Sequence, residues 1–178
     1  MTFCRALKGA SVKPTQLVAA AIGALVLTTA GARAADLRYP RVSSPAFVIH
    51  VPDDWAHHYD SDGNMLITTA DRSAAFSLSV VEGDGDLDAI AAQAMHEAKA
   101  DAPQRKGSVT ISGFSGYEFD TAMANDGGTH MSVKMLLVRI SSRIVASCSL
   151  LEIDGISPSD HALAQAALDS VTITTAQY

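Results

Sequence analysis

The chain has 178 residues, 48% hydrophobic and 18% charged, with 13 Lys+Arg against 19 Asp+Glu for a net charge of −6. That length supports one domain with a core of its own, and the composition excludes collagen-like, disulfide-rich and globally disordered classes. The acidic balance argues against a dedicated nucleic-acid binder.

The positive charge is concentrated at the start. Arg5, Lys8 and Lys13 precede any acid, the first of which is Asp36. An apolar run over 17–30 follows, then a stretch of small residues through Ala32, Ala34 and Ala35. Basic, apolar, then small is the order of a secretory signal peptide, with the cut expected after Ala34. The run is shorter than the ~20 residues a spanning helix needs, so a cleaved leader is expected rather than an anchor. No Cys stands just after the run to carry a lipid. Removing four of the 13 basic residues and none of the 19 acids leaves residues 35–178 at −10. Phosphate backbones and anionic headgroups repel such a body, so nucleic acid is not an expected partner. No transmembrane segment is expected in 35–178.

Residues 35–45 read as an extended, proline-punctuated lead-in. A β-branched run over 46–51, stopped by Pro52, predicts a first strand. Residues 53–60 read as a loop plugged by Trp55, and Asp62-Gly63 as a tight turn. Strands are predicted over 65–69 and 75–81, the second with Phe76, Leu78 and Val80 alternating with Ser77 and Ser79. The period then changes. Leu87, Ile90, Ala91, Ala94, Met95 and Ala98 form one stripe of a helix, capped by Asp86 and ended at Ala102-Pro103. Strands follow over 107–111 and 116–123, with a turn at 125–128. Residues 131–140 and 143–151 predict a hairpin across Ser141-Ser142. A last helix opens with Ser157 as cap, Pro158 in the first turn and Asp160 completing a capping box. Its apolar stripe is Ala164, Ala167, Leu168 and Val171. The order β-β-β-α-β-β-β-β-α, with tight turns between strands, predicts an α+β fold: an antiparallel sheet flanked by helices, in one domain over 46–178.

Phe47-Val-Ile-His-Val-Pro-Asp-Asp-Trp55, the central helix, Ile111-Ser-Gly-Phe-Ser-Gly-Tyr-Glu-Phe119, the 139–151 hairpin and the closing Leu168-Asp-Ser-Val171 together resemble the PsbP-like family. The resemblance covers about 46–173. It implies an α/β/α sandwich and, commonly, a non-catalytic role in assembling or stabilising a protein complex. It supplies no catalytic residue. The acidic body departs from a family member that docks through lysines, so a photosynthetic role is not inherited.

Candidate chemistry is sparse. Cys148 is the only cysteine after the expected cut and shares one side of a strand with Ile144, Ala146 and Leu150, which reads as a buried, inert thiol. Gly113-Phe-Ser-Gly116 lacks the final Gly of a nucleophile elbow, Tyr117 standing in its place, and a strand follows where a helix is needed. Gly113 and Gly116 are expected to shape a turn or bulge. His50, His57 and His58 lie near Asp53, Asp54 and Asp60, and imidazole with carboxylate can hold zinc or copper. Their spacing matches no standard ligand pair, so His57, His58 and Asp60 stand as weak metal candidates. Residues 82–88 alternate acids like a calcium loop, but Leu87 stands where the loop needs Gly and Gln93 where it needs a bidentate carboxylate. A helix-capping turn is expected there. His96 and Glu97 fall outside the helix stripe and read as solvated.

No cofactor is expected, and no nucleophile, base and oxyanion site assemble from neighbouring elements. The expected function is that of an exported, soluble, non-enzymatic protein that binds or stabilises an envelope protein complex or takes a small ligand. An exposed apolar patch near Trp55 and Phe114 would mark its docking surface. The alternative is a periplasmic metal-binding protein using His57, His58 and nearby carboxylates.

Overall fold

The structure, a computed structural model, describes residues 34–39, 46–61, 63–124 and 127–174. The expected leader, apart from Ala34, lies outside the described residues, as do 40–45, Asp62, and Asn125 and Asp126 of the two expected turns.

Ten strands and two helices run in the order β1 (Ala34–Tyr39), β2 (Ala46–Pro52), β3 (Ala56–Tyr59), β4 (Met65–Thr68), β5 (Ala74–Glu82), α1 (Leu87–Glu97), β6 (Gln104–Ile111), β7 (Phe114–Ala124), β8 (His130–Arg139), β9 (Ile144–Ile153), α2 (Pro158–Asp169) and β10 (Thr172–Thr174). Seven strands form one antiparallel sheet in the spatial order β3-β4-β5-β9-β8-β7-β6, and β1-β2-β10 form a second, smaller one. The α+β class is as the sequence predicts. Three strands are additional to the expected order: β1, β3 and β10.

Each has a physical reason for its weak signal. In β1, Leu37 and Tyr39 turn inward while Asp36 and Arg38 face out, a period-2 pattern too short to stand clear of the prolines around it. All four residues of β3, read above as loop, are exposed, so the strand is defined by pairing with β4 and not by burial. β10 buries only Ile173.

The large sheet carries two apolar faces. On one, Phe119, Met123, Met131, Val133, Met135, Leu137, Val145 and Leu151 pack beneath Leu87, Ala91 and Met95 of α1. On the other, Phe76, Leu78, Leu136, Val138, Cys148 and Leu150 meet Phe47, Ile49 and Val51 of β2 and Ala164, Ala167 and Leu168 of α2. Strand alternation delivers the two sets, because successive side chains leave opposite faces. Helix, sheet, then helix with small sheet makes three layers.

The helices begin where expected and one ends early. Asp86 accepts a hydrogen bond from the Ala89 amide at 2.7 Å, and Ser157 accepts one from the Asp160 amide at 3.2 Å. α1 stops at Ala98, before Ala102-Pro103, because Lys99 turns to φ +57 and the Ala100 amide reaches back to the Met95 carbonyl at 2.9 Å. That reversal satisfies helix-end carbonyls locally, as a left-handed cap does.

Candidate functional site

Between α2 and the β6-β7-β8 end of the large sheet lies a cleft of about 260 Å³. It forms because the small sheet and α2 cover only part of this face. The β6–β7 hairpin extends past them, turning on Ser112 and Gly113 at φ +52 and +86. Two consecutive positive φ values give the turn whose twist matches a tight hairpin. The Ser112 hydroxyl accepts the Ile173 amide at 2.9 Å, tying that turn to β10.

The floor is apolar. Ile111, Leu136, Leu168 and Val171 are buried and Val109 is half-buried. One wall is a polar chain. Lys134 Nζ stands 3.5 Å from Glu118 Oε1 and donates to Gln165 Oε1 at 3.2 Å, and Gln165 Nε2 donates to Asp169 Oδ1 at 2.8 Å. One side of this chain comes from β7 and β8 and the other from successive turns of α2. Two residues further along β7, Asp120 Oδ1 is buried with no hydrogen-bond partner among the described residues, while Oδ2 lies 3.9 Å from Lys106 Nζ. A lone buried oxygen of this kind is costly unless another group comes to it.

Such a cleft can hold an apolar group on its floor and orient it through the polar wall, the usual division of labour in a binding site. No histidine lines the cleft, and the hydroxyl of Ser112 is committed to main chain.

The residues singled out in the sequence fall elsewhere. His57 and His58 are adjacent on β3, opposite Ile67 and Leu66, so they project to opposite faces. Asp60 is occupied in the turn, accepting the amide of Asn64 at 2.9 Å and its side-chain nitrogen at 3.1 Å. The three weak metal candidates are therefore not brought together, and among the described residues no three His, Cys, Asp or Glu side chains converge. His50 pairs with Asp36 across β1 and β2 at 2.7 Å. In the acidic turn before α1, Asp86 caps the helix, Asp88 pairs with Arg105, and the Gly83 and Gly85 carbonyls accept from Arg139. A guanidinium thus takes carbonyls that a calcium loop would turn on its ion.

Cys148 is fully buried between the layers, and burial pushes its thiol up to about 12. Trp55 is a core residue stacked on Phe76 at 5.7 Å, and Phe114 is half-buried against the same core. Both rings are spent on packing, so among the described residues neither marks an exposed apolar patch. Gly113 shapes the hairpin turn, while Gly116 lets β8 approach: a Cβ there would lie 1.9 Å from the Leu137 carbonyl oxygen.

The cleft's own residues had a legible signal. Lys134 interrupts the apolar run of β8 and Glu118 stands between two aromatics on β7, charges placed where the strand pattern wants none.

No protein-family model matches the sequence, and no curated protein matches it. Solved structures do share the fold, which is PsbP-like. Cyanobacterial PsbP (CyanoP) of Synechocystis superposes at TM-score 0.52 with 11% identity, over 85% of this chain and 100% of that one. LpqN of Mycobacterium tuberculosis, described as involved in cell envelope biogenesis, gives 0.50 with 21% identity over 80% and 91%. The Ran-binding protein Mog1p of Saccharomyces cerevisiae gives 0.53 with 10% identity over 78% and 94%. At these identities the likeness is one of fold. None of the three carries a catalytic name. Among the described residues no helix is long and apolar enough to cross a membrane.

Proposed function

We propose that this protein is an exported, non-catalytic binding protein of the cell envelope, and that the cleft between α2 and β6–β8 is where it holds its partner or ligand. The observation that carries the reading is the cleft itself: an apolar floor beside a continuous Glu118–Lys134–Gln165–Asp169 chain whose polar groups are engaged with one another. The basic-apolar-small opening supports export. The names of LpqN and Mog1p, one tied to the envelope and one to binding a protein, agree with a binding role. The metal-binding alternative has less support, since His57 and His58 diverge and Asp60 serves its own turn.

The test places a photo-crosslinking side chain at Gln165, in the cleft wall, and another at exposed Arg72 in the β4–β5 loop, in the native host. Capture of the same species from position 165 and not from position 72 supports the reading. Equal capture from both, or none from either, overturns it. Fractionation checks export: the proposal requires an extracytoplasmic product that begins at Ala35.

A further inference from the structure

Resting on the cleft as binding site, we propose that the outer edge of β6 accepts an added β-strand, an extended segment of another protein that places a side chain in the cleft. Among the described residues β6 is the last strand of the large sheet and pairs only with β7. The two-residue Ser112-Gly113 turn makes Ile111–Phe114 the hydrogen-bonded closing pair, and bonded and non-bonded pairs then alternate. Val109 opposite Gly116 and Gly107 opposite Glu118 are bonded, whereas Thr110 and Ser108 turn their main-chain groups away from β7. Neither outward N–H has a partner among the described residues.

The cleft opens at this edge. Val109 and Ile111 face its floor, so Thr110, one residue between them, sends its side chain to the opposite face; what Thr110 contributes to the lining is main chain. A strand bonded to that main chain would run along the mouth, with every second side chain over the cavity. About 150 Å³ of apolar cavity accommodates benzene, so about 260 Å³ takes one large aliphatic or aromatic side chain.

Charge selects the guest. The two charged residues of β6 are Arg105 and Lys106. Arg105 is engaged with Asp88, while Lys106 Nζ stands 3.4 Å from Gln104 Oε1 and 3.9 Å from Asp120 Oδ2. A guest running antiparallel, as every pair in this sheet does, meets Thr110 first and Lys106 later. Its sequence is therefore apolar at alternate positions with an acidic residue toward its C-terminal end. A second copy of the chain is disfavoured as guest, because each copy of residues 35–178 carries −10.

The experiment selects a displayed library of ten-residue peptides on the protein, with Thr110→Pro for counter-selection. Proline is tolerated on an edge strand where its missing N–H faces solvent, and an unchanged melting temperature identifies the variant as folded. The expected peptides alternate apolar residues, carry an acid near the C-terminus, and bind T110P about tenfold or more weaker, as loss of a main-chain bond and a steric block require. They slow amide exchange at Ser108 and Thr110, and Lys106→Glu weakens them several-fold. No enrichment, peptides that bind wild type and T110P equally, or protein that dimerises through β6 without peptide would overturn the proposal. Peptides that bind both equally and still protect Leu136 and Lys134 would leave the cleft reading standing and remove only the strand addition.

Discussion

Gly116→Ala isolates the closest main-chain approach at the cleft end of the sheet. The added methyl would lie 1.9 Å from the Leu137 carbonyl oxygen and 2.8 Å from the Val138 Cα, both main-chain atoms of β8. Neither can rotate aside, so β7 and β8 must separate by more than an ångström. That separation breaks the local ladder, where two hydrogen bonds are each worth about 1 kcal/mol net. Forcing atoms into a packed site adds about 1–3 kcal/mol. The sum, about 3–5 kcal/mol, is a large part of a typical domain's stability of about 5–15 kcal/mol, and corresponds to a fall in Tm on the order of 10 °C. Gly107→Ala is the control, on the neighbouring strand, where a Cβ meets nothing within 4 Å. It should change stability by no more than about 0.5 kcal/mol. Urea unfolding followed by Trp55 fluorescence measures both. If G116A unfolds with the wild type, or G107A costs as much as G116A, the account of this approach is wrong.

Cys148 should resist a thiol reagent in the native protein and react only on unfolding. Its thiol is held neutral by burial in the folded state, so the folded state retains the proton as pH rises above the unfolded value of 9.0 toward about 12. Stability should therefore fall by about 1.4 kcal/mol per pH unit across that window, and Cys148→Ala, less stable at neutral pH, should lose less there. Asp71 behaves in the opposite direction. Hydrogen bonds from Ser73 and Thr69 hold its carboxyl below its ordinary 3.8, so its contribution is present above that pH and lost as pH falls through the lowered value. Asp71→Asn should flatten the acid limb of a stability–pH curve. Replacing His57 and His58 together by Ala should leave any zinc-induced change in melting temperature as it is in the wild type, because the two rings diverge from β3.

What the sequence made legible follows from where burial writes a pattern. The β8–β9 hairpin, the Ala164, Ala167 and Leu168 stripe of α2 and the caps at Asp86 and Ser157 stand where alternation, helical spacing or capping residues place them, while Val171, expected in that stripe, lies past the end of the helix. β3 carries no such pattern because none of its side chains is buried, and β10 is a strand only because β2 offers it an edge. The end of α1 was misplaced for a different reason: Lys99 adopts a left-handed conformation that residue type does not advertise. The cleft was missed because its parts come from β6, β7, β8 and α2, up to 62 positions apart in sequence between Val109 and Val171. Lys134 and Glu118 broke the strand pattern, but only the tertiary fold says that they break it toward the same place as Gln165. Trp55 was legible as the plug of its polar loop, and it stacks on Phe76 in the core.

The small sheet joins the two ends of the described chain. β2 has β1 on one side and, on the other, β10, which arrives more than 120 residues later. Everything in the large sheet is synthesised between those strands. Pairing over such a separation is slow, since its entropy must be spent before any contact repays it. A nascent chain that has finished β9 can zip its central sheet, yet Phe47 and Ile49 lack their α2 cover until Pro158–Asp169 has emerged. The molecule thus has a seam that closes last. Truncation within α2 or β10 should yield not a shortened protein but one left ajar, its inner layer open to chaperones and proteases.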